Sequence, residues 1–218
     1  METSSAVWLL SSIAIGGVYT AFLNRPASVL RTVFKVLPVT LLAGFAWSVD
    51  APALLLAALL LSAAGDAFLA YDGEGAFRNG LVSFLAAHLA YGVLFVSMAA
   101  PSVLSTEAWR LAAGAASVAA IAIVLPLLRR HAGQHRIAAS VYACVILGMA
   151  LLALFVRAPA VFLGAAIFMS SDAVLALRRF VFRPDHVLSR IASYYVWISY
   201  FSAQCILAWA LIRSPASL

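Results

Sequence analysis

Residues 51–70 read APALLLAALLLSAAGDAFLA. The run is as long as a membrane-spanning helix, about 20 residues, and it carries one ionisable side chain, Asp66, near its end. A charge at that depth is costly in lipid, so such a helix turns the charge into a bundle rather than toward hydrocarbon. Working outward, seven more apolar runs of similar length appear: 6–23, 32–48, 80–100, 107–128, 137–156, 158–177 and 191–212. Between them stand turn signals such as Asn24-Arg25-Pro26, Asp72-Gly73-Glu74-Gly75, Pro101 and Arg183-Pro184-Asp185. The pattern predicts an all-α, polytopic transmembrane bundle of eight helices. It forms one domain over residues 1–218, with short loops that make neighbours antiparallel.

Composition agrees. The 218 residues are 65% hydrophobic and 10% charged, against about 25% charged in a soluble domain. Mean hydropathy is +1.05 and the pI near 9.8. In a soluble chain a net charge of +6 would suit nucleic acid. Here the arginines gather between apolar runs, so no nucleic-acid partner is expected and the bilayer is the solvent. Cys144 and Cys205 both sit in apolar runs, and neither a disulfide nor a metal site is expected of them. The first run lacks a small-residue cleavage site and reads as a retained helix.

Eight spans put both termini on one side. By alternation that side receives Arg110, Arg157 and Arg213. The other receives Arg25, Arg31, Arg78, Arg129, Arg130, Arg136, Arg178, Arg179, Arg183 and Arg190. The positive-inside rule makes the arginine-rich side cytoplasmic and sends both termini outward.

With that orientation, four titratable residues fall in the cytoplasmic half. Counted from the nearer ends of their runs at 1.5 Å per residue, Lys35 lies about 5 Å in, Asp66 about 6 Å, Asp172 about 7 Å and His88 about 12 Å. Agreement in depth across four segments points to one site open to the cytoplasmic leaflet. Asn79, Tyr91, Tyr142, Ser171, Tyr200 and Gln204 supply further polar groups in that zone. Each has a plainer reading. Lys35 could snorkel to the interface, His88 could be a satisfied core histidine, and the acids could be structural partners, for example of Lys35. Asp72, Glu74, Asp185 and His186 read as solvated loop residues.

The stretches 62–70 and 169–176 share a small residue, then Asp, Ala, any residue, Leu, Ala. This suggests a four-helix unit repeated in parallel, with Asp66 and Asp172 as equivalent acids. Two carboxyl groups facing one cavity, roughly 5–10 Å apart, form a general-acid and general-base pair suited to an acid-labile C–O bond. A leaflet-facing site favours an amphiphile, with Lys35 and the mouth arginines near its phosphate. Only His88 lies at depth among the histidines, which disfavours a three-histidine zinc centre. Buried acids would equally serve a proton-coupled small-molecule or lipid transporter, although no run carries a clear mid-span Gly/Pro break. A third possibility is an assembly protein whose acids merely pair helices.

Several motifs then look familiar: Gly65-Asp66, Phe77-x-x-Gly80-x-x-x-Phe84-x-x-x-His88-x-x-Tyr91, Phe168-x-x-Ser171-Asp172 and Tyr200-x-x-x-Gln204. With Lys35 ahead of Pro38, the chain resembles the YhhN family, bacterial relatives of animal lysoplasmalogenases, over most of its length. The family's adjacent Lys-Pro pair is spread here to Lys35-Val36-Leu37-Pro38. The resemblance implies an enzyme of the inner (plasma) membrane that hydrolyses the vinyl-ether bond of a lysophospholipid substrate. Asp66 and Asp172 would be its functional acids, and Lys35, Asn79, His88, Tyr91, Tyr142, Ser171, Tyr200 and Gln204 its positioning groups. No metal or organic cofactor is called for.

Overall fold

A computed structural model describes residues 3–183 and 185–214; Pro184, one of the expected turn residues, lies outside them. Helices dominate: α1 (Thr3–Tyr19), α2 (Val29–Ser48), α3 (Ala53–Phe68), α4 (Glu74–Ser97), α5 (Val103–Thr106), α6 (Trp109–His131), α7 (Arg136–Ala153), α8 (Pro159–Phe180) and α9 (Val187–Arg213). Short 3-10 turns follow α1 and precede α7. Seven of these segments are long and apolar enough to cross a membrane: α1 with its 3-10 turn, α2, α4, α6, α7 with its 3-10 turn, α8 and α9. The apolar helix α3, with 16 residues, is shorter. At 1.5 Å per residue it reaches about 24 Å, less than the ~30 Å hydrocarbon layer.

Helix ends depart from the sequence boundaries where a local device starts or stops them. Ser28 accepts from the Arg31 N–H at 3.2 Å and begins α2 three residues before position 32. Lys35 therefore lies about 9 Å along its helix rather than one turn in. Gly73, at φ 116°, launches α4 at Glu74, whose carboxylate suits a helix N-terminus. Glu74 is thus helical rather than a loop residue, and Asn79 lies within α4. α7 stops at Ala153 because residues 154–156 turn into an isolated antiparallel bridge, Ala99 to Val156. The four-residue α5 was not foreseen in the sequence.

The described residues form two compact units, one of residues 3–91 with 211–214 and the other of residues 92–210, so that the division falls within α4 and near the end of α9. In the first unit α2 packs on α1 and α3. Ser12 donates to the Pro38 carbonyl at 2.7 Å, where α2 carries proline in its interior. Helices α3 and α4 approach closely at two glycines. A Cβ on Gly65 would stand 2.6 Å from the Phe84 ring, and one on Gly80 would stand 2.7 Å from Leu69. Absence of side chains at these two positions sets the spacing between the helices. Leu42, Phe45, Leu55 and Leu59 fill the core.

In the second unit α6, α7 and α8 pack in sequence, and α9 meets α8 where Gly164 accommodates Leu207. Arg110 is fully buried. Its Nη1 donates to the Leu154 and Val156 carbonyls at 2.7 and 2.8 Å, and its Nη2 to Arg157 at 3.0 Å. These carbonyls follow the end of α7, where helix geometry provides no donor. One guanidinium therefore ties the start of α6 to the end of α7. Sequence alternation had left Arg110 as an ordinary loop arginine.

Candidate functional site

In the first unit, α2 and α3 meet in an antiparallel register marked by two polar rungs. Arg31 Nη1 donates to the Ala70 carbonyl at 2.9 Å, and one turn on, Lys35 Nζ lies 3.5 Å from Asp66 Oδ1. Both partners of the ion pair are enclosed, with 12% and 3% of their side chains exposed. Lys35 therefore turns to Asp66 instead of snorkelling. The next rung falls on Val39 and Ser62, both buried, and the Ser62 hydroxyl has no hydrogen-bond partner.

Gly65, beside Asp66, lies under the Phe84 ring. The Phe84 carbonyl in turn receives the His88 Nδ1–H at 2.6 Å. A carbonyl can only accept, so the shared proton sits on Nδ1, and in the neutral ring Nε2 carries the lone pair. His88 and Tyr91 are both fully enclosed, one helical turn apart. Asn79, by contrast, is exposed on α4.

In the second unit the Tyr142 hydroxyl, on α7, donates to Asp172 Oδ2, on α8, in a short hydrogen bond. Asp172 is half-buried, whereas Asp66 is almost wholly enclosed. The preceding Ser171 donates to the Val196 carbonyl of α9 at 2.9 Å. Tyr195 donates to Ser170 at 3.0 Å. Tyr200 meets the Phe168 ring edge-on at 5.3 Å, and Gln204 is buried one turn further along α9. Asp172 thus accepts from a phenol of α7, while its neighbours Ser170 and Ser171 bond to α9.

The two aspartates share a sequence pattern; within its own unit Asp66 faces the Lys35 ammonium, and Asp172 accepts from the Tyr142 phenol. By alternation Arg31 falls among the loop arginines of the cytoplasmic side. Its spacing of four from Lys35 is the one sequence signal that could have placed it on the same helix face.

Outside the spans, Glu107 accepts from Arg110 Nε and from Trp109 Nε1, at 3.2 and 2.8 Å. The Arg110 bond first, and the Trp109 bond second, hold its carboxyl below the ordinary carboxylate range.

Comparisons with curated proteins and with solved structures returned no match. The profile of the YhhN family matches residues 30–211, a stretch that takes in both acid clusters, and the chain belongs to that family.

Proposed function

We propose that this membrane protein is a lysoplasmalogenase-like ether hydrolase that cleaves the vinyl-ether bond of a lysoplasmalogen, an alkenyl glycerophosphoethanolamine or glycerophosphocholine. The observation that carries the reading is that each of two aspartates in matching sequence contexts is held by a proton-bearing side chain, Lys35 for Asp66 and Tyr142 for Asp172. The reaction needs a proton placed on the β-carbon of the vinyl ether. That gives an oxocarbenium ion, which water attacks. The resulting hemiacetal collapses to a fatty aldehyde and the glycerophospho alcohol, so the net change is addition of one water. One aspartate supplies the proton, and the other stabilises the cation and takes a proton from water. This chemistry asks for no redox or group-transfer partner. His88, Tyr91, Tyr200, Ser171 and Gln204 shape the surroundings of the two acids.

The topology that goes with this reading counts α3 as an eighth span. It sets both termini outside and the acids toward the cytoplasmic leaflet, in one domain built from two parallel four-helix repeats. The arginine distribution and the matching stretches around Asp66 and Asp172 support it.

The test is aldehyde release from lysoplasmalogen by purified protein in liposomes, compared with Asp66→Asn and Asp172→Asn variants that retain their fold. Wild-type turnover lost in both variants supports the assignment. No aldehyde from wild type, or full turnover in both variants, refutes it. A proton-coupled carrier would instead show pH-driven uptake without aldehyde in the same liposomes.

A further inference from the structure

Arg31 precedes Lys35 by one helical turn on α2 and reaches the same helix, α3. Its contact with Ala70 holds the turn that follows α3, two residues past the helix end. The contact occupies only Nη1. Arg31 Nε is buried, and no acceptor receives its proton. In a guanidinium, Nε and Nη2 form the side-on fork that matches two oxygens of a phosphate or carboxylate. The Ala70 contact is made through Nη1 and fixes the plane of the guanidinium, and with it the direction of the Nε edge. A buried guanidinium N–H without an acceptor is unfavourable, and a ligand oxygen would relieve it. Lys35, the adjacent cation, is already engaged with Asp66.

We propose that the Nε edge of Arg31 receives the phosphate of a single-chain phospholipid head group and so seats the substrate one turn from Asp66. The proposal rests on the reading of the chain as a lysolipid hydrolase, and it adds the residue that selects phosphate. A ligand held here would have its anionic group against α2 and the end of α3, with its glycerol carbons beside the Lys35–Asp66 pair. Lys in place of Arg31 keeps the charge but loses the fork, and Gln keeps a donor but loses the charge.

The experiment measures binding without turnover. Wild type, Arg31→Lys and Arg31→Gln, each checked for fold by circular dichroism and gel filtration in detergent, are titrated with two ligands. One is a saturated 1-alkyl-glycerophosphoethanolamine, which has no vinyl ether to cleave. The other is the 1-alkylglycerol of the same chain length, and inorganic phosphate is added as competitor. Wild type is expected to prefer the phospholipid by about tenfold or more, a difference of about 1.4 kcal/mol. Both variants lose that preference while binding alkylglycerol as before. Displacement by millimolar inorganic phosphate assigns the site to free phosphate, and resistance to it assigns the site to the lipid head group; either result keeps the phosphate at Arg31. Equal binding of the two ligands by wild type overturns the proposal. So do variants that keep the full preference and only melt earlier, as a purely structural contact would. Absence of aldehyde from a vinyl-ether substrate, with the binding preference intact, removes the hydrolase reading and leaves the phosphate site standing.

Discussion

Lys35 Nζ lies 3.5 Å from Asp66 Oδ1, joining α2 to α3 inside an apolar unit. Removing one partner of such an enclosed pair leaves the other charge buried and uncompensated, at a cost of about 3–5 kcal/mol. Lys35→Met should therefore destabilise the protein by that order. The double replacement Lys35→Met, Asp66→Leu should recover most of the loss and yet show no turnover. Thermal unfolding in detergent, run beside the aldehyde assay, checks both halves. A single variant as stable as wild type would contradict the pairing.

Tyr142→Phe removes only the hydroxyl that donates to Asp172. If that phenol serves proton transfer through Asp172, kcat should fall by about 10²-fold, with KM and melting temperature nearly unchanged. Steady-state kinetics on lysoplasmalogen separates the outcomes, since a purely structural hydroxyl would change stability and leave kcat alone.

Gly65→Ala places a methyl 2.6 Å from the Phe84 ring, so either the ring or α4 must move. The expected loss is about 1–3 kcal/mol, typical of overpacking. Phe84→Leu in the same chain should return part of it, because the smaller side chain opens space over residue 65. A double-mutant cycle on unfolding free energies reads the coupling, and simple additivity would argue against the close approach.

The Glu107–Arg110 contact should make stability depend on acid. The Arg110 hydrogen bond, and then that from Trp109, hold the folded carboxyl below its ordinary value. Its contribution is therefore present above that value and is lost as pH falls through the lower folded value. Wild type should melt above Glu107→Gln at neutral pH, and the gap should narrow as pH falls below the ordinary carboxylate range and close once the folded carboxyl is protonated. A gap that stays constant across the range would show that the charge plays no part.

Arg110→Ala leaves the carbonyls of Leu154, Val156 and Arg157 without their guanidinium donors. Several buried acceptors lost together should cost about 3 kcal/mol or more. Proteolysis near residues 154–158 should increase first, because that segment loses its tie to α6. Unchanged cleavage there would place the hold elsewhere.

The amino-acid sequence by itself determined the membrane-spanning helical class, the approximate helices and the two acids that stand out within them. Each is a local property: hydropathy over about 20 residues, or one charge that the bilayer disfavours. Boundaries shifted where capping chemistry acted, at Ser28 and at Gly73, because one side-chain or backbone contact there outweighs the average of a window. Only the tertiary structure decided which partner each acid received. It also decided that Lys35 faces Asp66 rather than the interface, and that Asn79 stays on the surface. Arg31 and Arg110 looked like two loop arginines among many, yet they grip carbonyls 39 and 44 residues away. Such contacts depend on the register between packed helices, which is set by close approaches such as Gly65 under Phe84. Hydropathy says which residues leave water but carries no information about which rung of one helix meets which rung of the next.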